Sequence, residues 1–239
     1  MPVKKKELEA TLYPVVEAWM RKHFQCFKTG VNVGLSYSRV DVLGVRDVGG
    51  DLSGEVESIC IEVKRGSEPF ATASGQALGY QVYANRVYLA AVRAEGFDRS
   101  ELDIASHLGI GLVQIKGSQC REVLSSPYHK PITRMSLQLL ERMALCQCQL
   151  CGTFFESGDS KSKLLSERWS NVSREDLRKA VANEKGLVFW NRELSERKRK
   201  LGLRVTKDDS TYERRYFCPD CVFHVFSEFL SGDRIPERV

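Results

Sequence analysis

Leu8, Leu12, Val15, Val16 and Trp19 recur at helical spacing through residues 7–24, with Glu7, Lys22 and other polar residues elsewhere, and predict an amphipathic helix. Pro14 falls inside this pattern and either kinks the helix or shifts its start. Two runs rich in β-branched residues follow, 39–45 (RVDVLGV) and 59–64 (ICIEVK), and read as strands. The stretch between them, RDVGGDLSGEVES, has the glycines that a hairpin connection needs. Residues 71–85 read as a helix, 86–92 (RVYLAAV) as a strand buried on both faces, 98–108 as a helix and 111–115 (GLVQI) as a further strand. A hairpin followed by strand and helix in alternation implies an α/β domain with a mixed sheet flanked by helices.

The pattern changes near residue 130. A helix over roughly 132–145 leads into CQCQLCGTFF, then a polar, basic stretch, then YFCPDCVFHVF. Ser173 with Asp176 three residues on has the spacing of a helix start. The boundary is placed in SSPYHKP, giving a first domain of residues 1–128 and a smaller, mostly helical domain of residues 129–239 that carries an insertion over 156–215.

At 239 residues, with 42% hydrophobic and 28% charged positions, the composition is that of a soluble globular protein. No apolar run approaches the roughly 18–20 residues of a membrane span, and MPVKKKELEA has charge without the apolar core of a secretory signal. A cytoplasmic protein without a membrane partner is expected. The net charge of +5 is unevenly spread: residues 156–215 hold 16 Lys and Arg against 11 Asp and Glu. That segment includes SERKRK (195–200) and ERR (213–215). Arg197, Lys198, Arg199, Lys200, Arg214 and Arg215 are therefore candidates for holding nucleic-acid phosphates, against the plain alternative of a solvated helical face.

The chemistry of the first domain centres on Asp41, Glu62 and Lys64. Glu62 and Lys64 are two apart in a strand and project to one face, and Asp41 can join them from the paired strand. Such charges are costly to bury without a purpose. Phosphodiester hydrolysis supplies one: a hard cation neutralises developing charge and lowers the pKa of an attacking water, and Mg²⁺ prefers oxygen ligands. The bare pattern is common by chance; its setting in VDVLGV and ICIEVK, which otherwise read as core, gives it weight.

Residues 7–116 resemble the PD-(D/E)XK, or restriction-endonuclease-like, nuclease superfamily. The likeness lies in an acidic helix (ELEATLYPVVEAW), an Asp strand (VDVLGV), an E-V-K strand (IEVKRG), a helix with Gln-Ala (SGQALGYQVYANR) and a buried strand (VYLAAV), followed by GIGLVQI. The resemblance implies a restriction-endonuclease-like sheet and Asp41 and Glu62 as ligands of Mg²⁺ or Mn²⁺. The main-chain carbonyl of Val63 would be a third ligand and Lys64 the group that orients water. It also implies supporting roles for Glu9, with Glu7 as competitor, and for Gln76 beside the lysine. Val40 stands where the signature has proline. His107 and His129 are read as bland.

Of eight cysteines, Cys148-x2-Cys151 and Cys218-x2-Cys221 form matching pairs. Four thiolates in a tetrahedron make a closed structural zinc site, and a two-residue gap lets one turn present both sulfurs. CQLCGTFF resembles a zinc-ribbon or rubredoxin-like knuckle, and CPDC shares its proline and polar turn residue. Cys146 and His224 are spare candidates, not expected to ligate the metal. The expectation is an Mg²⁺-dependent endonuclease acting on DNA sooner than RNA, with the zinc module aiding substrate binding and a homodimer left open. The alternatives are a catalytically silent nuclease-fold DNA-binding module and a zinc-dependent protein-interaction adaptor.

Overall fold

In a computed structural model the chain divides into two compact units, residues 1–143 and 144–239. The structure describes residues 9–34, 39–50, 54–157, 164–166, 173–182, 186–190, 201–202 and 214–231. The helix expected over 132–145 falls in the first unit.

Helix α1 (Tyr13–His23) opens the first unit, with Pro14 in its first turn. There the missing N–H costs nothing, so the proline marks the start of the main helix and does not kink it. Just before it, the Leu12 N–H closes a turn onto the Glu9 carbonyl at 2.9 Å. Strands β1 (Lys28–Gly34), β2 (Arg39–Asp47) and β3 (Val56–Lys64) form an antiparallel meander. Helix α2 (Phe70–Leu78) and a 3₁₀ turn (Gly79–Val82) then lead to β4 (Arg86–Val92), which runs parallel to β3. Helix α3 (Arg99–Leu108) crosses to β5 (Gly111–Lys116), parallel to β4, and β6 (Gln119–Leu124) returns antiparallel as the far edge. Helix α4 (Thr133–Arg142) completes the unit.

The sheet order is β1-β2-β3-β4-β5-β6. Sequence pattern locates its four central strands. The two edges escaped it, because β1 (KTGVNVG) carries polar residues and glycines and is only half-buried, and β6 (QCREVL) is mostly polar. Asp98 caps α3 in a complete capping box with Glu101, worth about 1 kcal/mol, which places the helix start where the sequence puts it.

One core of the described residues lies between α1 and one sheet face. Val16 and Met20 of α1 are fully buried against Val42, Ile59, Ile61, Val63, Tyr88 and Val113. Each such side chain contributes roughly 1.5–3 kcal/mol. Helix α2 packs on β3 and β4, burying Ala73 and Ala77. Among the described residues no helix is long and apolar enough to cross a membrane.

The second unit holds a short hairpin, β7 (Leu145–Gln147) with β8 (Phe154–Glu156). It also holds β9 (Leu164–Ser166), α5 (Arg174–Ala182), β10 (Leu187–Trp190), β11 (Arg214–Phe217) and α6 (Pro219–Ser231). Strands β9, β10 and β11 form one sheet. The insertion expected to be mostly helical thus contributes β9, β10, the start of β11 and one helix among its described residues. Leu187, from LVFW, shows why: it packs against Leu177 and Ala180 of α5 and Val222 and Phe226 of α6, so the strand is held by tertiary burial.

Candidate functional site

Asp41, Glu62 and Lys64 meet at one end of the six-stranded sheet, where β2 begins and β3 ends. The β2–β3 ladder pairs Val42 with Ile61, and extending that register by one residue sets Asp41 opposite Glu62. The Asp41 carboxylate takes the Val63 N–H at 2.9 Å and the Tyr13 hydroxyl at 2.7 Å. A residue's N–H and carbonyl point to the same side of a strand, so the Val63 carbonyl also faces β2. On the other flank of Asp41, the β1–β2 ladder omits the Asn32–Asp41 pair, and Asn32 adopts a left-handed φ of 55°.

Lys64 gathers three carboxylates around its ammonium: Glu62 at 2.7 Å, Glu68 at 3.7 Å and Glu9 at 3.8 Å. Tyr80 donates to Glu62 and also lies 2.7 Å from the Arg39 carbonyl. Glu9, Asp41, Glu62 and Lys64 are all buried, with 5–9% of their surface exposed. Three groups that the sequence did not single out therefore belong to the network: Tyr13, Tyr80 and Glu68. The one signal for Tyr13 was its position four residues after Glu9, on the same face of a helical segment.

The electrostatics follow from crowding. Burial raises the pKa of Glu62, and the neighbouring Asp41 charge raises it further, against the opposing pull of Lys64 and Tyr80. Burial works against the Lys64 ammonium, but Glu62, Glu9 and Glu68 outweigh it and hold its pKa above the ordinary value. Both phenols are pushed upward by burial and by the carboxylates, so each remains an O–H donor. Among the described residues, three carboxylates gather around the Lys64 ammonium and the Asp41 carboxylate lies beside Glu62. Oxygen donors of this kind are ones that could hold a hard divalent cation.

The structure brings Glu9 to Lys64 but leaves Gln76 outside. Gln76 is exposed on α2 and forms no hydrogen bond with Lys64 or the carboxylates; Tyr80, one turn further on, reaches Glu62 instead. His107 is exposed, and His129 is bound to the Gly109 carbonyl at 2.7 Å. Glu7 and Arg197, Lys198, Arg199 and Lys200 lie outside the described residues. Arg214 and Arg215 are placed only by their backbone, paired in β11 with Trp190 and Phe189.

In the second unit the sulfurs of Cys148, Cys151, Cys218 and Cys221 all lie within 4.8 Å of one another. Cys151 and Cys218 are 3.7 Å apart, close to the ~3.8 Å edge of a tetrahedron with metal–sulfur bonds near 2.3 Å. The first pair sits on the β7–β8 turn, which closes through the Gly152 N–H to the Cys148 carbonyl, with Gly152 at a φ of 79°. The second pair departs from the knuckle likeness. CPDC opens a helix, with Cys218 just before α6 and Cys221 in its first turn, where the Cys221 N–H donates to the Cys218 sulfur at 3.4 Å. Cys146 is buried outside the group and His224 is exposed.

Burial opposes ionisation of Cys151, yet hydrogen bonds from Thr153 and the neighbouring thiols bring it down to about 6. Burial drives Cys218 up to about 11 and Cys221 higher still. Cys151 is thus favoured as a thiolate while Cys218 and Cys221 are held as thiols in the absence of a cation. The four cysteines could hold a structural metal such as zinc.

No protein-family model matches the chain, and no curated protein matches it. Among solved structures, the SPO1766 protein of unknown function from Silicibacter pomeroyi is similar at 23% identity and a TM-score of 0.41, over 56% of this chain and 81% of that one. The functional reading therefore stands on the residues.

Proposed function

We propose that the first unit is a metal-dependent DNA endonuclease of the PD-(D/E)XK class. The observation that carries this reading is the convergence of Asp41, Glu62, Lys64 and Glu9, from three separate elements, into one buried network with an excess of carboxylates. Such a network is expensive unless it has a ligand to hold. The order of elements supports it too: acidic helix, antiparallel meander carrying Asp and Glu-x-Lys, helix, then a parallel strand.

In this reading Asp41, Glu62 and the Val63 carbonyl hold Mg²⁺ or Mn²⁺, and Glu9 supports the site from the helical side. The bound cation supplies charge neutralisation at the phosphate and acidifies a water. Lys64 donates to the attacking water or to a phosphate oxygen, and its raised pKa keeps it a donor at neutral pH. Tyr80 fixes the Glu62 carboxylate. The four cysteines hold zinc as a structural element, and the basic residues of the insertion contribute phosphate contacts.

The test is incubation of the full chain with linear, circular, single-stranded and branched DNA in Mg²⁺ or Mn²⁺. Cleavage that depends on the metal and disappears in Asp41→Ala and Lys64→Ala supports the proposal. Binding without cleavage under every condition would leave a silent nuclease-fold module, and absence of both would leave the adaptor.

A further inference from the structure

The Asp41 carboxylate is gripped at both oxygens, one by the Val63 N–H on the neighbouring strand and the other by the Tyr13 hydroxyl at the start of α1. Tyr13 is 6% exposed, and it belongs to the core between α1 and the sheet with Val16 and Met20. Its position is thus set by packing that owes nothing to Asp41. Tyr80 divides its one proton between Glu62 and the Arg39 carbonyl, whereas Asp41 is the acceptor that the Tyr13 hydroxyl meets. The same helical segment brings Glu9 to Lys64, so one element delivers a carboxylate to the site and a clamp to a second carboxylate.

We infer that Tyr13 is a positioning residue for the divalent cation: it fixes the rotamer of Asp41 so that the carboxylate meets the metal already oriented. This inference rests on the proposed metal site. Partners of this kind set the orientation of a ligand, and their loss typically weakens metal binding by roughly 10–100-fold. Tyr13→Phe removes the hydroxyl and keeps the ring, so the packing against Val16 and Met20 survives.

The readout is Mn²⁺ affinity by electron paramagnetic resonance, measured on wild type, Tyr13→Phe, Asp41→Ala and Val16→Ala. The last removes core packing from α1 without touching Asp41. Tyr13→Phe is expected to bind Mn²⁺ about 10–100-fold more weakly while retaining its circular dichroism. Its cleavage rate should recover toward wild type at saturating Mn²⁺, and Val16→Ala should keep wild-type affinity. Equal affinity in wild type and Tyr13→Phe would overturn the inference, as would an equal loss in Val16→Ala, which would make the effect one of helix packing. If wild type shows no Mn²⁺ binding that depends on Asp41, the proposed metal site itself fails, and that outcome is separate from the others.

Discussion

Replacing Lys64 with methionine removes the ammonium while keeping a flexible, space-filling side chain in the same cavity. The structure sets the scale of the effect. At 2.7–3.8 Å from Glu62, Glu68 and Glu9, each ion pair has a gross attraction on the order of 4–6 kcal/mol at an effective dielectric near 20. Most of that is offset by desolvation. What remains when one partner of a buried pair is deleted is the penalty of the stranded charges, about 3–5 kcal/mol. At about 2–4 °C per kcal/mol for a domain near this size, the melting temperature in EDTA should fall by roughly 6–20 °C.

The pH dependence has a definite sign. Lys64 has a folded pKa above its unfolded one, so its contribution is fully present below the ordinary lysine value and is lost only in alkaline solution. Glu62 has a raised pKa, so acid neutralises it early, and the penalty in Lys64→Met should shrink as pH falls. Mg²⁺ or Mn²⁺ should raise the melting temperature of Lys64→Met more than that of wild type, because the cation replaces missing positive charge. Scanning fluorimetry across pH 5–8, with EDTA or divalent metal, reads the loss in Lys64→Met, its shrinkage in acid and its rescue by metal. A Lys64→Met protein as stable as wild type in EDTA at pH 8 would show that the cluster is not an ionised, ammonium-held network.

Glu62→Gln is expected to raise metal-free stability at neutral pH. A raised carboxylate pKa contributes stability that is fully present below the unfolded value and lost as pH rises through the folded one; urea titrations against pH should show that slope in wild type and a shallower one in Glu62→Gln. Gly66→Ala should cost about 2–4 kcal/mol, since the residue has a φ of 83° and an added Cβ would lie 2.3 Å from the Val92 carbonyl oxygen; a lowered urea midpoint at unchanged slope checks it. Metal analysis of freshly purified protein should find about one zinc per chain, lost in Cys218→Ser together with cooperative melting of the second unit.

Strands β2 and β3 were legible because Val40, Val42, Ile59, Ile61 and Val63 are β-branched, and all five are fully buried. The pairing of their two runs into a hairpin followed from the glycines between them, whereas the register that sets Asp41 opposite Glu62 came from the structure. Glu9 was legible only through family likeness. Tyr13 and Tyr80 were not, because an aromatic on an apolar face reads as core, and whether its hydroxyl finds a carboxylate depends on packing across 28 or 18 residues of chain. Glu68 falls in a turn whose course no periodicity encodes. Gln76 shows the converse: a motif position can match a family pattern while its side chain faces solvent. In the second unit the cysteine pairs were read from spacing, but the helix that presents the second pair was not, because CPDC was read as a turn through its proline and polar residue.

Nicking of supercoiled plasmid under single-turnover conditions, by wild type and by Asp41→Asn, tests the nuclease directly. That substitution keeps the shape of the side chain and its place beside Tyr13 and Val63 while removing the charge that would hold a cation. Wild type should convert supercoiled to nicked or linear DNA in Mg²⁺ or Mn²⁺ and not in EDTA, and Asp41→Asn should be slower by at least about two orders of magnitude. Cleavage by Asp41→Asn at the wild-type rate, or none by wild type in either metal, would remove Asp41 from the chemistry and the nuclease from the account.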